Sequence, residues 1–194
     1  MSMDTNWPAA PRLSSASPTS AGKRGHRRSR GQTMTEFALV SPVLLLLLFG
    51  VLESGLLLFS VGSARFAAGE AARQEAESGN AATADSLSIG VIRGTALGTT
   101  GLAQVQHIDV YKLNQQANGT LTVAPGTLNS YNLDGSARNS IPWPSSSRDV
   151  KNGESDFLGV TVYYRYSWKT GLFLFTGPLD LNQTFAIRLE PQTY

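Results

Sequence analysis

The sequence predicts an α+β protein in which a long N-terminal transmembrane helix continues as a stem, followed by a second helix and a small antiparallel sheet. Three observations predict this class. A 25-residue apolar run extends from Phe37 to Val61, an alanine-rich segment follows as far as Ser78, and apolar residues alternate with polar ones beyond Gly101. The first pattern is typical of a membrane span, the second of a helix, and the third of strands.

The apolar run is long enough to cross a membrane. Leu, Val and Phe supply 17 of its 25 residues. Insertion of these side chains is favourable by about 5–10 kcal/mol, whereas the one charge, Glu53, costs about 3 kcal/mol. At a rise of about 1.5 Å per residue the run extends about 37 Å, which exceeds the hydrocarbon thickness of about 30 Å. We therefore expect residues 37–61 to cross the bilayer.

Charge is distributed unevenly along the chain. Residues 1–31 carry six Lys or Arg and one acid, whereas residues 32–194 carry ten and thirteen. Positive flanks of membrane helices stay in the cytoplasm, so we expect an N-terminus inside and a C-terminal domain outside. A patch attracted to anionic lipid is compatible with this. A nucleic-acid patch is disfavoured because no binding fold accompanies it. The residues of this topology signal are Lys23, Arg24, Arg27, Arg28 and Arg30.

The start of the apolar helix carries a specific motif. Gly31 and Gln32 follow the basic tract, Glu36 lies five residues after the glycine, and Phe37 opens the apolar run. Further along, Phe49-Gly50-x-x-Glu53-x-Gly55 follows five leucines. The segment Gly31–Arg65 resembles the TadE-like pseudopilin family of the tight-adherence (Flp-type) pilus machinery, with a type IV prepilin-like N-terminus. The end of the chain, Arg188-x-Glu190-Pro191, resembles the same family more loosely.

The resemblance implies a function in pilus assembly. It implies a pilin-like lollipop that acts as a minor subunit or assembly factor, inserted once in the bacterial cytoplasmic membrane. A prepilin peptidase would cut after Gly31 and free the amine of Gln32. Glu36 would then meet the N-terminal amine of a neighbouring subunit, an attraction that a low dielectric strengthens. The implied partners are the lipid bilayer, other pilins or pseudopilins, and inner-membrane platform proteins, in a homo- or hetero-oligomeric assembly.

Three residues within the span are candidates for helix contacts, beside Glu36 and Phe37 at its start. Gly50 and Ser54 form a small-x-x-x-small notch where another helix can approach closely. Alternatively, the pair has no specific role, because glycine and serine are common in membrane helices. Glu53 is an intramembrane acid, which usually faces protein rather than lipid. We expect it in a helix–helix contact, or extended to the outer headgroups.

The chain divides into three regions. Residues 1–31 form a basic leader, expected to be disordered because it is rich in Ser, Ala and Pro. Residues 32–79 form the transmembrane helix and its stem, with the helix ending near Glu77. Residues 80–194 form an extracytoplasmic α+β domain. Its predicted elements are a second helix over 83–97 with Leu87, Val91 and Ile92 inward, strands over 105–113, 120–124, 157–168 and 184–190, and a surface loop over 125–155.

No pattern of catalytic chemistry stands out. The absence of cysteine excludes thiol catalysis and thiolate metal sites. No nucleophile elbow, phosphate-binding loop or dinucleotide fingerprint appears. His107 has no neighbour at metal-ligand spacing, so we expect a surface histidine. We therefore expect no enzyme activity, no metal, no cofactor and no nucleic-acid partner.

Two clusters have an alternative interpretation. Asp149, Glu154 and Asp156 lie in a turn-rich stretch and are expected to be solvated rather than to bind a cation. The aromatics of the strongest strand form either core or a face for a sugar or partner, and these are Tyr163, Tyr164, Tyr166 and Trp168.

Two other architectures compete with the pseudopilin. In one, the leader persists as a cytoplasmic tail, and an uncleaved single-pass anchor presents a ligand-binding or adhesion domain. In the other, a signal peptidase releases a secreted module near Ala64. The second is disfavoured because the apolar run is longer than the about 7–15 residues of a secretory signal and contains Glu53.

Overall fold

The computed structural model of the protein describes residues 30–171 and 177–191. The predicted disordered leader, residues 1–31, and the basic tract within it, residues 23–30, lie outside these residues except for Arg30 and Gly31, which are helical rather than disordered. Contacts divide the chain into two units, residues 1–40 and 41–194. The described part of the first unit, residues 30–40, is entirely helical. All other elements lie in the second unit.

Helix α1 (Arg30–Ser78) is the long helix that the sequence predicts, and it contains Pro42. It ends at Gly79, whose φ of 56° lies in the left-handed region that glycine adopts without strain. The amide of Gly79 donates to the carbonyl of Glu75 at 2.8 Å and closes the last turn. The glycine stop signal in the sequence therefore marks the real end of the helix.

The predicted second helix is shorter than expected and is followed by a separate turn. Helix α2 (Ala84–Gly94) ends where Thr95 adopts an extended conformation, and α3 (Ala96–Thr99) adds one turn. The buried residues of α2 are Ala84, Ser88, Ile89 and Ile92. The expectation for Leu87 is wrong, since its side chain is 48% exposed, and Val91 is only partly buried, whereas Ile92 is buried as expected. Ile89 and Ile92 define the inward face, and Leu87 lies about 200° from Ile89 around the helix, on the opposite side.

The described residues form five strands, namely β1 Ala103–Gln115, β2 Leu121–Val123, β3 Asn129–Tyr131, β4 Phe157–Tyr166 and β5 Leu179–Arg188. They make one antiparallel sheet with the order β2-β1-β4-β5, and β3 pairs with β1 beside β2. Strand β5 begins five residues before its predicted start, because its pairing with β4 starts at Leu179 opposite Tyr166.

The predicted surface loop over 125–155 is wrong in part. It contains strand β3 and a short 3-10 turn, Ser145–Ser147. Asn129 and Trp143 inside it are buried, and they bond to each other twice: Asn129 Nδ2 donates to the Trp143 carbonyl at 2.7 Å and the Trp143 amide to Asn129 Oδ1 at 3.0 Å. Turn-rich composition hid these side chains, which fold back onto the core.

The core lies between one face of the sheet and the helices. Alternate residues of β4 are fully buried against it, namely Leu158, Val160, Val162 and Tyr164. Helix α1 contributes alanines, namely Ala64, Ala67, Ala68, Ala71 and Ala72. Small side chains on α1 let the larger side chains of the sheet pack close to the helix. The long helix is therefore part of the domain core along its C-terminal half.

A buried ionic cluster ties α1 to the rest of the domain. The side chain of Arg148 is 0% exposed and donates to Glu75 at 2.6 Å and to Asp85 on α2. Ser88 also donates to Glu75, at 2.6 Å, and Tyr131 donates to Asp85. Burial, with Asp85 nearby, raises the pKa of Glu75 to about 7, although Arg148 opposes the shift. One guanidinium thus neutralises two acids from two helices.

Replacement of Arg148 by methionine should destabilise the domain by about 3–5 kcal/mol, because it leaves Glu75 and Asp85 buried without their cation. Unfolding of the full chain in detergent by urea measures this. The matched control is Arg138→Met, since Arg138 is exposed and its replacement should change stability by less than about 0.5 kcal/mol. Equal effects of the two substitutions would contradict this role of Arg148.

Candidate functional site

In the second unit, α1 buries one stripe and exposes the rest of its surface. The buried residues follow one face of the helix, with most spacings of three, four or seven, and they include Glu53, Ser60, Ala64, Ala67, Ala68, Ala71 and Glu75. This stripe faces the sheet and α2. On the other sides large apolar residues are exposed, among them Val51, Leu52, Leu58, Phe59 and Phe66. A helix that is apolar all round and only partly covered by its own domain has surface left for lipid or protein.

The first residue of the buried stripe is Glu53, and its carboxylate is held by this chain. The hydroxyl of Tyr166 donates to Glu53 Oε1 at 2.5 Å. The backbone amide of Lys169 donates to Oε1 at 3.0 Å and to Oε2 at 3.1 Å, and the amide of Thr170 donates to Oε2 at 2.7 Å. Glu53 is 0% exposed. The end of β4 and the four residues beyond it thus form a carboxylate-binding cup.

Other contacts hold the cup in place. Tyr166 is 0% exposed, and its ring meets the edge of Trp168 with centroids 5.7 Å apart. The indole of Trp168 donates to the carbonyl of Gly177 at 2.6 Å, and the ammonium of Lys169 donates to the carbonyl of Gly101 at 3.3 Å. Burial and the Glu53 carboxylate raise the pKa of Tyr166, so this hydroxyl stays protonated as a donor.

The partners of Glu53 differ from those that the sequence suggested. The expectation was a contact with another helix or with outer headgroups, whereas the observed donors are Tyr166 and two amides of the same chain. Sequence reasoning missed Lys169 and Thr170, because backbone amides leave no mark in a sequence. The one available signal was Tyr166 itself, an amphipathic residue at the end of a buried strand.

The predicted notch at Gly50 and Ser54 lies on an exposed side of α1. The Ser54 hydroxyl donates to the Gly50 carbonyl of its own helix at 2.8 Å. A hollow of about 760 Å³ surrounds the notch, lined by Leu46, Leu47, Gly50, Val51, Ser54, Gly55 and Leu58. With its serine bonded within the helix, the notch is an apolar surface. Its role in assembly stays a prediction.

The predicted cleavage residues lie in the first unit. Gly31, Gln32, Glu36 and Phe37 are all exposed there. The side-chain amide of Gln32 donates to Glu36 Oε1 at 3.1 Å, one turn further along. A Cβ built on Gly31 would meet nothing within 4 Å. The first turn of α1 is therefore open to an enzyme or a neighbouring subunit.

The opposite face of the sheet carries a polar hollow of about 400 Å³. His107 stacks on Tyr163 there, with ring centroids 4.1 Å apart and planes 13° from parallel, and burial lowers the pKa of His107. Of the aromatics that the sequence singled out, Tyr163 lines this hollow, whereas Tyr166 lies in the cup described above. Tyr164 is 1% exposed, part of the core.

The acidic turn is held by protein contacts. Lys112 bonds to Asp156 at 2.6 Å, and the amide of Asp149 donates to the same carboxylate at 2.9 Å. Within residues 30–171 and 177–191, no group of three or more His, Cys, Asp or Glu is placed to hold a metal ion.

One comparison with known proteins matches most of helix α1. Residues 31–73 match the family model described as TadE-like protein. The segment is TadE-like. The match confirms the resemblance and spans the predicted cleavage residues, the notch, Glu53 and much of the buried stripe. No curated protein and no solved structure matches the chain.

The composition of α1 and the family match both point to a protein at a membrane. By length and composition, α1 from Gly31 to Ser78 is a candidate membrane span. The TadE-like segment therefore indicates a protein associated with a tight-adherence pilus and anchored by a membrane-spanning N-terminal helix.

Loss of the Tyr166 hydroxyl should weaken the attachment of the domain to α1. Tyr166→Phe removes one hydrogen bond to a buried carboxylate, which should cost about 1.5–3 kcal/mol in the free energy of unfolding. Urea unfolding of the full chain in detergent measures the loss. Tyr163→Phe is the control, because Tyr163 lies on the opposite face and should leave stability nearly unchanged.

Proposed function

We propose that this TadE-like protein is a pseudopilin-like minor subunit or assembly factor of a tight-adherence pilus system. Its N-terminus lies in the cytoplasm and its α+β domain outside. A prepilin peptidase cuts after Gly31, and the new N-terminus begins at Gln32. The protein then acts through lateral packing of α1 against other pilins or the inner-membrane platform.

The observation that carries this proposal is the large exposed apolar surface of α1 in a domain that already has a complete core. Leu58 and Phe66 are 70% and 59% exposed, although each lies within one turn of a buried residue. A simple anchor needs such surface only inside the membrane. The C-terminal half of α1 is also part of the domain core. Such a helix is suited to hold the domain in place among neighbouring subunits.

The first turn of α1 supports processing at Gly31. The glycine is the second residue of the helix, and a Cβ built on it would meet nothing within 4 Å. Glu36 contacts Gln32 on its own helix, and both are exposed. Once the peptide bond before Gln32 is cut, an ammonium would stand one turn from this carboxylate, or from that of a neighbour.

The polar hollow on the sheet face opposite the core favours one alternative function. In this alternative the chain is an uncleaved anchor that presents a ligand-binding or adhesion surface around His107 and Tyr163. A secreted module released by cleavage near Ala64 is disfavoured. Ala64 is 0% exposed in the core, and cleavage there would separate Glu53 from the cup that binds its carboxylate.

Substitution of Gly31 by a bulky residue should block maturation. In Gly31→Leu the full-length chain should accumulate in the membrane with residues 1–31 attached, about 3 kDa heavier than the wild-type product. Mass spectrometry and N-terminal sequencing of protein from cells measure this, with Gln32, in some cases N-methylated, expected first in the wild type. Folding should be unaffected, because nothing lies near a Cβ at position 31.

The matched control is Gly25→Leu, which changes another leader glycine and should be processed normally. A wild-type chain that begins at Met1 or Ser2 would favour the uncleaved anchor. A chain that begins at Arg65 would favour the secreted module.

A further inference from the structure

We propose that an exposed stripe of α1 above Glu53 binds a second copy of this chain, side by side and parallel. The stripe consists of Gly55, Phe59, Gly62 and Phe66, and we call it the Gly/Phe stripe. The inference rests on the proposed function in one respect, namely that both copies are anchored by α1 in the same membrane and in the same direction.

The first step concerns where the hydrocarbon ends. Strands β4 and β5 reach the level of Glu53 through Tyr166 and its partner Leu179. The next pair along these strands is Arg165 and Asp180, bonded at 2.6 and 2.9 Å with side chains 43% and 66% exposed. Exposed charges and strand edges are not tolerated in hydrocarbon. The hydrocarbon therefore ends near Glu53.

This limit shortens the span predicted from the sequence at its outer end. From Phe37 to Leu52 the apolar part of the helix then has 16 residues, about 24 Å in length, and a span shorter than the about 30 Å of hydrocarbon is accommodated by local thinning of the bilayer. Phe59 and Phe66 lie 6 and 13 residues beyond Glu53, about 9 and 20 Å above it along the helix. Lipid tails therefore do not cover these two side chains.

The Gly/Phe stripe alternates projections with gaps. Phe59 and Phe66 are 51% and 59% exposed. Between them lies a hollow of about 330 Å³, lined also by Gly62, Ser63 and Ala96 of α3. A Cβ on Gly55 or Gly62 would meet nothing within 4 Å. Two exposed aromatic rings around a glycine floor form an apolar surface that is open to water unless a partner covers it.

The spacing of the stripe fits another copy of itself. Leu52, Phe59 and Phe66 recur every seven residues, as do Gly55 and Gly62 in between. Seven-residue repeats at alternating intervals of three and four are the seam of a parallel helix pair, where each side chain enters a gap of the partner. A phenylalanine of one copy then fills the gap above a glycine of the other, and glycine lets the backbones come close.

Charges beside the seam fix the same register. With the phenylalanines at position a, Arg65 takes position g and Glu70 position e, and in a parallel pair a g residue faces the e residue of the partner's next heptad. Arg65 is exposed, with no ion pair among residues 30–171 and 177–191. Glu70 pairs with Arg73 of its own helix and is 34% exposed, so one side of its carboxylate is free for a second cation.

Disulfide crosslinking tests the proposal, because the chain has no cysteine of its own. Two copies with different epitope tags are expressed together, each carrying F59C, G62C or F66C, and native membranes are oxidised. Facing seam positions lie within the about 4.4–6.8 Å between Cα atoms that a disulfide needs. We expect dimers that contain both tags from all three variants. The controls are L58C, which turns about 100° away from Phe59, and V123C on β2, and both should give at least fivefold less dimer.

Charge reversal tests the register. Arg65→Glu should lower the G62C dimer yield at least threefold, and adding Glu70→Arg should restore at least half of it. A G62C adduct with a different protein would overturn the second copy as occupant. The proposal would also be overturned if no adducts formed and lipid-tail quenchers quenched a fluorophore at position 59. That result would assign the stripe to lipid.

Failure of this inference and failure of the proposed function give different results. If Gly31 is processed normally but no dimer carries both tags, the pseudopilin proposal stands and the homotypic seam does not. If dimers form at the seam in a chain that keeps Met1, the seam stands without prepilin processing.

Discussion

The structure depends on one constraint: the carboxylate of Glu53, set in an apolar run, must have hydrogen-bond donors. A buried carboxylate without partners costs several kcal/mol. The chain supplies the Tyr166 hydroxyl and the amides of Lys169 and Thr170. This contact fixes the point on α1 where the sheet begins to pack, and with it the boundary between the exposed N-terminal part and the domain-covered part of the helix.

Below and above that point the same helix faces different surroundings. Further along, alanines such as Ala64 and Ala68 let the sheet approach, and the Arg148 cluster locks the far end through Glu75. Because the sheet and α2 cover only one stripe, the remaining apolar surface faces outward. A single helix thus carries the candidate membrane span, part of the domain core and an exposed apolar surface.

The sequence predicts the elements better than it predicts their contacts. Composition and Gly79 define α1, since apolar length and a left-handed glycine are local signals. The sequence did not predict strand β3 or the burial of Arg148. Both lie in a segment rich in turn formers, and their burial depends on residues more than 40 positions away. The cleavage residues rest on the TadE-like motif. The partners of Glu53 could not be predicted, since two of the three donors are backbone amides.

Hydrogen exchange of the Lys169 and Thr170 amides in nanodiscs tests the central claim most directly. The account predicts that both amides exchange slowly in the wild type, because each donates to a carboxylate that solvent does not reach. In Glu53→Ala both should exchange at least tenfold faster, while amides in the centre of β4 stay protected. Fast exchange of Lys169 and Thr170 in the wild type, or rates that Glu53→Ala leaves unchanged, would contradict the account.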